Sequence, residues 1–143
     1  MSKGNVFEND LLNLIFNATA IALIADNTVT TPLTNLRIAL HTSTPDEAGD
    51  QTTNEAAYGA YARVNVARTT AGWAASTGGS TSPQANIDFA QATSGSETIT
   101  HFSIGTATSG AGKVLYYGTV TPNIVVSAGV TPRLTTASVI SED

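Results

Sequence analysis

The second half of this chain is a succession of short segments that fit a pleated sheet and little else. From Glu97 to Thr135 it reads ETITHFSIG, TATSGAG, KVLYYGTV, TPN, IVVS, AG and VTPRLT. Thr, Val, Ile and Tyr are β-branched or aromatic and pack well on a pleat. Gly, Ser, Pro and Asn mark the breaks between them. Upstream, Leu36, Ile38 and Leu40 alternate with Arg37, Ala39 and His41, the pattern of a half-buried strand. Tyr61 to Ala67 reads as the next strand, with Ala62, Val64 and Val66 on one face. Ile87 with Phe89, and Phe102 with Ile104, each share a strand face. Val114 to Val120 is apolar on both faces, which predicts a central or interface strand. Ile124 to Ser127 and Val130 to Thr135 follow, joined by a turn at Ala128-Gly129. About eight strands at roughly 8–12-residue spacing predict a mainly β fold, a jelly roll or β-sandwich with an N-terminal α-helix.

That helix comes from Leu11, Leu12, Ile15, Phe16, Ala18 and Leu23, which recur near helical spacing. Asn9 or Asp10 would cap it and Asp26-Asn27 would end it, near Ala25. The sequence thus divides into an arm and helix over 1–35 and a β-sandwich over 36–143, packed as a single domain. Thr42 to Ala60 is a long polar loop of the kind that is often functional or ordered by a partner. Ser76 to Gln84, STGGSTSPQ, reads as a flexible connector.

Composition narrows the function. The 143 residues contain no cysteine, so disulfides and thiolate metal sites are excluded. Only 12% are charged, about half the usual share, and Thr and Ser take their place. So little charge defends poorly against association, which suggests a surface partly covered in the working state. The net charge of −5 and the absence of a basic stripe argue against nucleic-acid binding. The stretch from Leu11 to Ala25 is interrupted by Asn13, Asn17 and Thr19, too polar and short for a membrane span or a secretory h-region.

No reactive constellation is legible. His41 and His101 lie on separate strands without carboxylates at ligand spacing. Asp46, Glu47 and Asp50 share a Gly-containing loop but lack the alternating oxygen ligands of a calcium site. Gly110-Ala111-Gly112-Lys113 misses the phosphate-loop pattern: Ala107 stands where a Gly is needed, Val114 where Ser or Thr is needed, and a strand follows. It reads as a hairpin turn. The serines lack a nucleophile elbow or a base. No catalytic, cofactor or metal residue is therefore assigned, and an enzyme is not expected. Apolar and aromatic side chains are the natural partner contacts: Phe7, Leu11, Tyr58, Trp73, Tyr116 and Tyr117 are the candidate interface residues. Trp73 with Asn86 and Asp88 is the one cluster that could serve a sugar.

Two segments carry a resemblance. Leu40-His41-Thr42, Pro45 and Glu47-Ala48-Gly49 lead to Tyr58 and Tyr61-Ala62-Arg63-Val64, and His101 to Gly118 reads HFSIGTATSGAGKVLYYG. Across roughly two thirds of its length, the chain resembles a family of small tailed-phage virion proteins. Some members are labelled tail or tail-fibre proteins, and others resemble capsid cement proteins with a jelly-roll fold. The resemblance implies a virion structural role with no cofactor. Since the chain has no fibrous repeat or heptads, the expected function is capsid cement. Made in the host cytoplasm, it would sit on the outer capsid surface and bridge neighbouring major capsid subunits against the pressure of packaged DNA. It would also self-associate as dimers. A tail or tail-fibre component is the first alternative and a carbohydrate-binding jelly-roll module the second. The arm and helix, and the Thr42–Ala60 loop, are expected to become ordered on the shell.

Overall fold

β-branched and aromatic residues build the sheets where the sequence places them, but several strands end or bend where a side chain has another partner. The computed structural model describes residues 5–20 and 33–142. Among these are one helix, α1 (Asn5–Asn17), and eight strands: β1 (Asn35–His41), β2 (Val64–Ala67), β3 (Ser80–Thr81), β4 (Ile87–Asp88), β5 (Ser96–Gly105), β6 (Val114–Ser127), β7 (Arg133–Leu134) and β8 (Ile140–Ser141). The fold is mainly β with one N-terminal helix, as the pattern predicts. The main sheet has four strands in the order β2-β1-β5-β6, and two-stranded ribbons pair β3 with β8 and β4 with β7. The β1–β5, β5–β6 and β3–β8 pairs are antiparallel. The chain divides into two compact units: one of 1–35, 66–87 and 134–143, the other of 36–65 and 88–133.

In the first unit α1 buries Leu12 and Phe16 completely, while Leu11 and Ile15 stay half-buried. The two buried side chains contribute about 3–6 kcal/mol before entropy. The helix begins earlier than expected because Asn9 is not its cap: the Asn9 Oδ1 accepts from the Gly79 amide at 2.8 Å. It also ends earlier, at Asn17. Ala18 takes a left-handed φ of 53°, and the Thr19 amide donates to the Asn13 carbonyl at 3.1 Å, a closure typical of helix C-termini. The rest of the predicted helix, residues 21–25, lies outside the described residues. No basic residue sits in the last turn. Arg68 supplies the cation instead, donating to the carbonyls of Leu14 and Ile15.

The Ser76–Gln84 segment is folded, not a loose connector. Ser76 Oγ donates to the Asn9 carbonyl at 2.7 Å and the Ser76 amide to Asn13 Oδ1 at 3.3 Å. Ser80–Thr81 then pairs with β8. Asn13, which interrupts the apolar run of the helix, and Asn9 just before that run thus dock this segment.

In the second unit β1 pairs with β5 from Arg37↔Gly105 to His41↔His101. The half-buried strand predicted here is covered on both faces, since Ala39 and His41 are as buried as Ile38 and Leu40. The next strand is shorter than its pattern: Tyr61 to Arg63 lie outside it, because the Tyr61 amide closes a turn on the Tyr58 carbonyl at 3.0 Å. The Val114–Val120 run is an edge strand, not a central one. It continues through Pro122, so the TPN break is a bulge: between Ile99↔Ile124 and His101↔Thr119, one residue of β5 faces four of β6. A bulge is where an edge strand can accept a residue with no N–H. The expected Val130–Thr135 strand shrinks to Arg133–Leu134, with the Pro132 carbonyl accepting from the Phe89 amide at 2.9 Å.

Candidate functional site

The residues singled out as partner contacts fall into two groups. Trp73 is 1% exposed and Tyr58 3% exposed, so neither can touch a partner in this fold. Trp73 sits edge-on to Phe16 with ring centroids 4.4 Å apart. The Tyr58 hydroxyl donates to the Ala90 carbonyl at 3.1 Å, and burial pushes its pKa up to about 12. Leu11 and Tyr116 are half-buried, and Tyr117 is 40% exposed on the edge strand. Phe7 belongs to α1, but its side chain lies outside the described ones. The Trp73, Asn86 and Asp88 cluster offers no sugar platform. Its ring is interior, Asn86 Oδ1 accepts from the Thr136 amide, and the Asp88 carboxylate is paired with Arg133, which holds its pKa below the usual carboxylate range.

The Thr42–Ala60 loop is ordered by its own chain. Thr42 and Asn54 join at 2.9 Å, the Ala56 amide reaches the Leu40 carbonyl at 2.8 Å, and Glu97 accepts from the amides of Ala57 and Tyr58. Its acidic residues are spent locally: Asp46 Oδ1 accepts from Thr44 Oγ1, and Asp50 Oδ1 from the Thr52 amide and hydroxyl. The hydrogen bonds from Thr52 hold the Asp50 carboxyl below its ordinary pKa. Among the described residues no group of three or more His, Cys, Asp or Glu could hold a metal ion. No described helix is long and apolar enough to cross a membrane.

One nucleophile–base contact exists. Ser103 Oγ lies 2.8 Å from His41 Nε2, and His41 Nδ1 lies 2.9 Å from the Thr53 carbonyl. A carbonyl only accepts, so Nδ1 carries the proton and Nε2 accepts from the serine hydroxyl. Burial holds the His41 pKa below its ordinary value. Both residues are fully buried, and no carboxylate orients the ring. A substrate atom could not stand near Ser103 Oγ without unfolding the sheet. The pair fixes the loop to β1 and β5.

The most developed constellation is a buried polar clamp that sequence inspection missed. Gln51 is fully buried and Arg63 nearly so. Arg63 forms a bidentate pair with Glu55, Nε to Oε1 at 2.6 Å and Nη2 to Oε2 at 2.7 Å. The same guanidinium donates to the carbonyls of Ala107 and Gly110, both at 2.9 Å. The Tyr61 hydroxyl donates to Glu55 Oε1 at 3.0 Å and accepts from the Leu40 amide at 3.0 Å. Burial and the neighbouring Glu55 charge raise the Tyr61 pKa, and the Glu55 hydrogen bond raises that of Arg63. Gln51 completes the set: its amide donates to the Gly112 carbonyl at 2.9 Å, its Nε2 to the Arg37 carbonyl at 3.1 Å, and its Oε1 accepts from the Ala107 amide at 3.1 Å.

These contacts converge beneath the β5–β6 turn, Thr106 to Lys113, the hairpin expected from Gly110-Ala111-Gly112-Lys113. Two glycines permit the approach. A Cβ on Gly105 would lie 2.2 Å from Gln51 Cδ, and one on Gly112 would lie 2.3 Å from Gln51 Oε1. The tip, Thr108 to Ala111, and Lys113 are exposed. A turn of small hydroxyl and apolar side chains is therefore held from below by Arg63 and Gln51, with Glu55 and Tyr61 bracing the arginine. The local signals were an arginine spent inside an apolar run, one of only six basic residues, and the paired glycines.

The two motif segments that carry the resemblance, Leu40 to Val64 and His101 to Gly118, are the parts this clamp joins. No curated protein matches the sequence. A protein family described as Podophage GP4 fiber I protein gp80 matches residues 2–141. Since that match spans nearly the whole sequence, the chain belongs to this podophage fiber I family and is a structural protein of the phage virion.

Proposed function

We propose that the protein is a non-enzymatic, adhesive element of the fibre apparatus of a short-tailed phage, with the Thr106–Lys113 turn as a contact surface. The observation that carries this reading is the family match over residues 2–141, whose description names a fibre protein. It favours the tail-fibre alternative over capsid cement. The clamp supports it physically: a turn already fixed by Arg63 and Gln51 loses little further freedom on binding, and a pre-organised surface binds more tightly for the same contacts. The lack of fibrous repeats is consistent with a globular piece of a fibre, not its shaft.

Copy number tests the choice. Quantitative mass spectrometry of purified virions should find this chain far below the major capsid protein, at the stoichiometry of tail appendages. A ratio approaching that of the shell subunits would instead indicate a cement protein seated on the major capsid protein.

A further inference from the structure

Three of the four arginines are spent on the fold. Arg63 grips the Glu55 carboxylate and two turn carbonyls, Arg68 the carbonyls of Leu14, Ile15 and Leu33, and Arg133 the Asp88 carboxylate. Arg37, on β1, is the exception. Its Nε and Nη1 are buried and have no hydrogen-bond partner. Acidic residues of the following loop are engaged elsewhere: Asp46 by Thr44, Asp50 by Thr52, and Glu55 by Arg63 and Tyr61. Gly105, opposite Arg37 on β5, offers no side chain. Gln51 fills the space over that glycine, but it gives its Nε2 to the Arg37 carbonyl and its Oε1 to the Ala107 amide. The guanidinium thus bears a desolvation penalty with no return inside the fold. A group that costs stability and returns none is explained by a use outside the fold.

We propose that Arg37 is the receptor for a carboxylate carried by a neighbouring protein of the virion. Arg37 as a whole is only half-buried, so it borders solvent, and rotation of its long side chain presents the guanidinium fork to an arriving group. Charge and shape select the ligand. One guanidinium balances one negative charge, and its planar fork matches the two oxygens of a carboxylate. A phosphate monoester carries about −1.5 to −2 and would leave charge unbalanced in the same desolvated place. The source follows from the family: a structural protein of the virion is surrounded by protein subunits, which present carboxylates as Asp and Glu. The pair replaces hydration that the buried nitrogens have already lost, so its formation costs less desolvation than an exposed arginine would incur. This holds whether the neighbour belongs to the fibre or to the shell.

The test has two parts. In the isolated full chain, Arg37→Met removes the unpaired cation and should raise the urea midpoint by about 0.5 M or more. An equal or lower midpoint, or a chain that fails to fold, would show that Arg37 serves the fold and would overturn the inference. In phage carrying Arg37→Met, the amount of this chain in purified particles, relative to the major capsid protein, should fall about tenfold or more. Arg37→Lys, which keeps the charge without the fork, should fall less. Arg133→Met, which removes a cation already paired on the surface, should be incorporated normally. Unchanged incorporation of the Arg37→Met chain would overturn the inference. Charge reversal identifies the source of the carboxylate: suppressors of Arg37→Glu should replace an Asp or Glu of another virion protein. Suppressors confined to this chain, or to genes outside the virion proteins, would contradict a protein carboxylate. The wild-type copy number is untouched by these outcomes, so failure here is distinguishable from failure of the fibre reading.

Discussion

Replacing Arg63 by Met removes the cation from the clamp while keeping most of its apolar stem. The side chain of Arg63 is 2% exposed and that of Glu55 is 18% exposed. The substitution therefore strands a mostly buried carboxylate that has lost two short charge-assisted hydrogen bonds. Breaking a buried ion pair by deleting one partner costs about 3–5 kcal/mol. Water can reach Glu55 through its exposed fraction, and the carbonyls of Ala107 and Gly110 lie near solvent and can rehydrate. The lower end, about 3 kcal/mol, is the expected loss. For a urea slope of about 2 kcal/mol/M, the unfolding midpoint should fall by about 1.5 M. Arg63→Lys keeps the charge but not the two-pronged geometry and should fall between wild type and Met. The double variant Arg63→Met/Glu55→Gln removes the stranded charge and should be less destabilised than the sum of its singles, by about 1–3 kcal/mol. Amides of Thr106 to Lys113 should lose exchange protection in every Arg63 variant. A midpoint shift of less than about 0.5 M for Arg63→Met, or strict additivity in the cycle, would refute the clamp as the support of the turn.

Other substitutions test the rest of the structure. His41 is neutral in the fold, and burial holds its pKa below 6.5, so the unfolded chain takes up the proton first. Stability should be flat above about pH 7 and should fall as pH drops below 6.5 toward the folded pKa. His41→Gln should flatten that slope between about pH 7.5 and pH 5, and an unchanged slope would assign it to other groups. Gly105→Ala drives a Cβ into the immobile Gln51 side chain and should cost about 1–3 kcal/mol, partly recovered in a Gln51→Ala background; a neutral effect in thermal melts would contradict the close approach. Trp73→Ala should cost about 3–5 kcal/mol as a core deletion, whereas a surface platform residue would leave the melting temperature unchanged.

Fold class was legible because Leu36, Ile38 and Leu40, and the residues from Thr98 to Ile104, alternate as strand residues do. What covers each face was not. His41 looked solvent-facing because the Thr53 carbonyl and Ser103 hydroxyl that enclose it lie 12 and 62 residues away. The Pro122 segment, expected as a break between strands, stays within β6 as a bulge, and a sequence does not distinguish the two. Trp73 read as a candidate contact because its partner Phe16 lies on a distant helix. The clamp was hidden for the same reason: Gln51, Glu55, Tyr61 and Arg63 are polar residues in or beside a polar loop, and only the fold shows that Arg63 and Gln51 reach a turn built from residues 106–113. Placement in the virion was not legible at all, since an adhesive surface has no required residue types.

A chain that acts by adhesion within the fibre apparatus has a definite place in the particle, and cryo-electron microscopy of the intact virion, with the chain docked into the density, locates it. Density for the β2-β1-β5-β6 sheet should be found in appendages of the short tail, with the Thr106–Lys113 turn against a neighbouring protein or free at a tip. The same sheet found repeated over the icosahedral shell at junctions of the major capsid protein would contradict it.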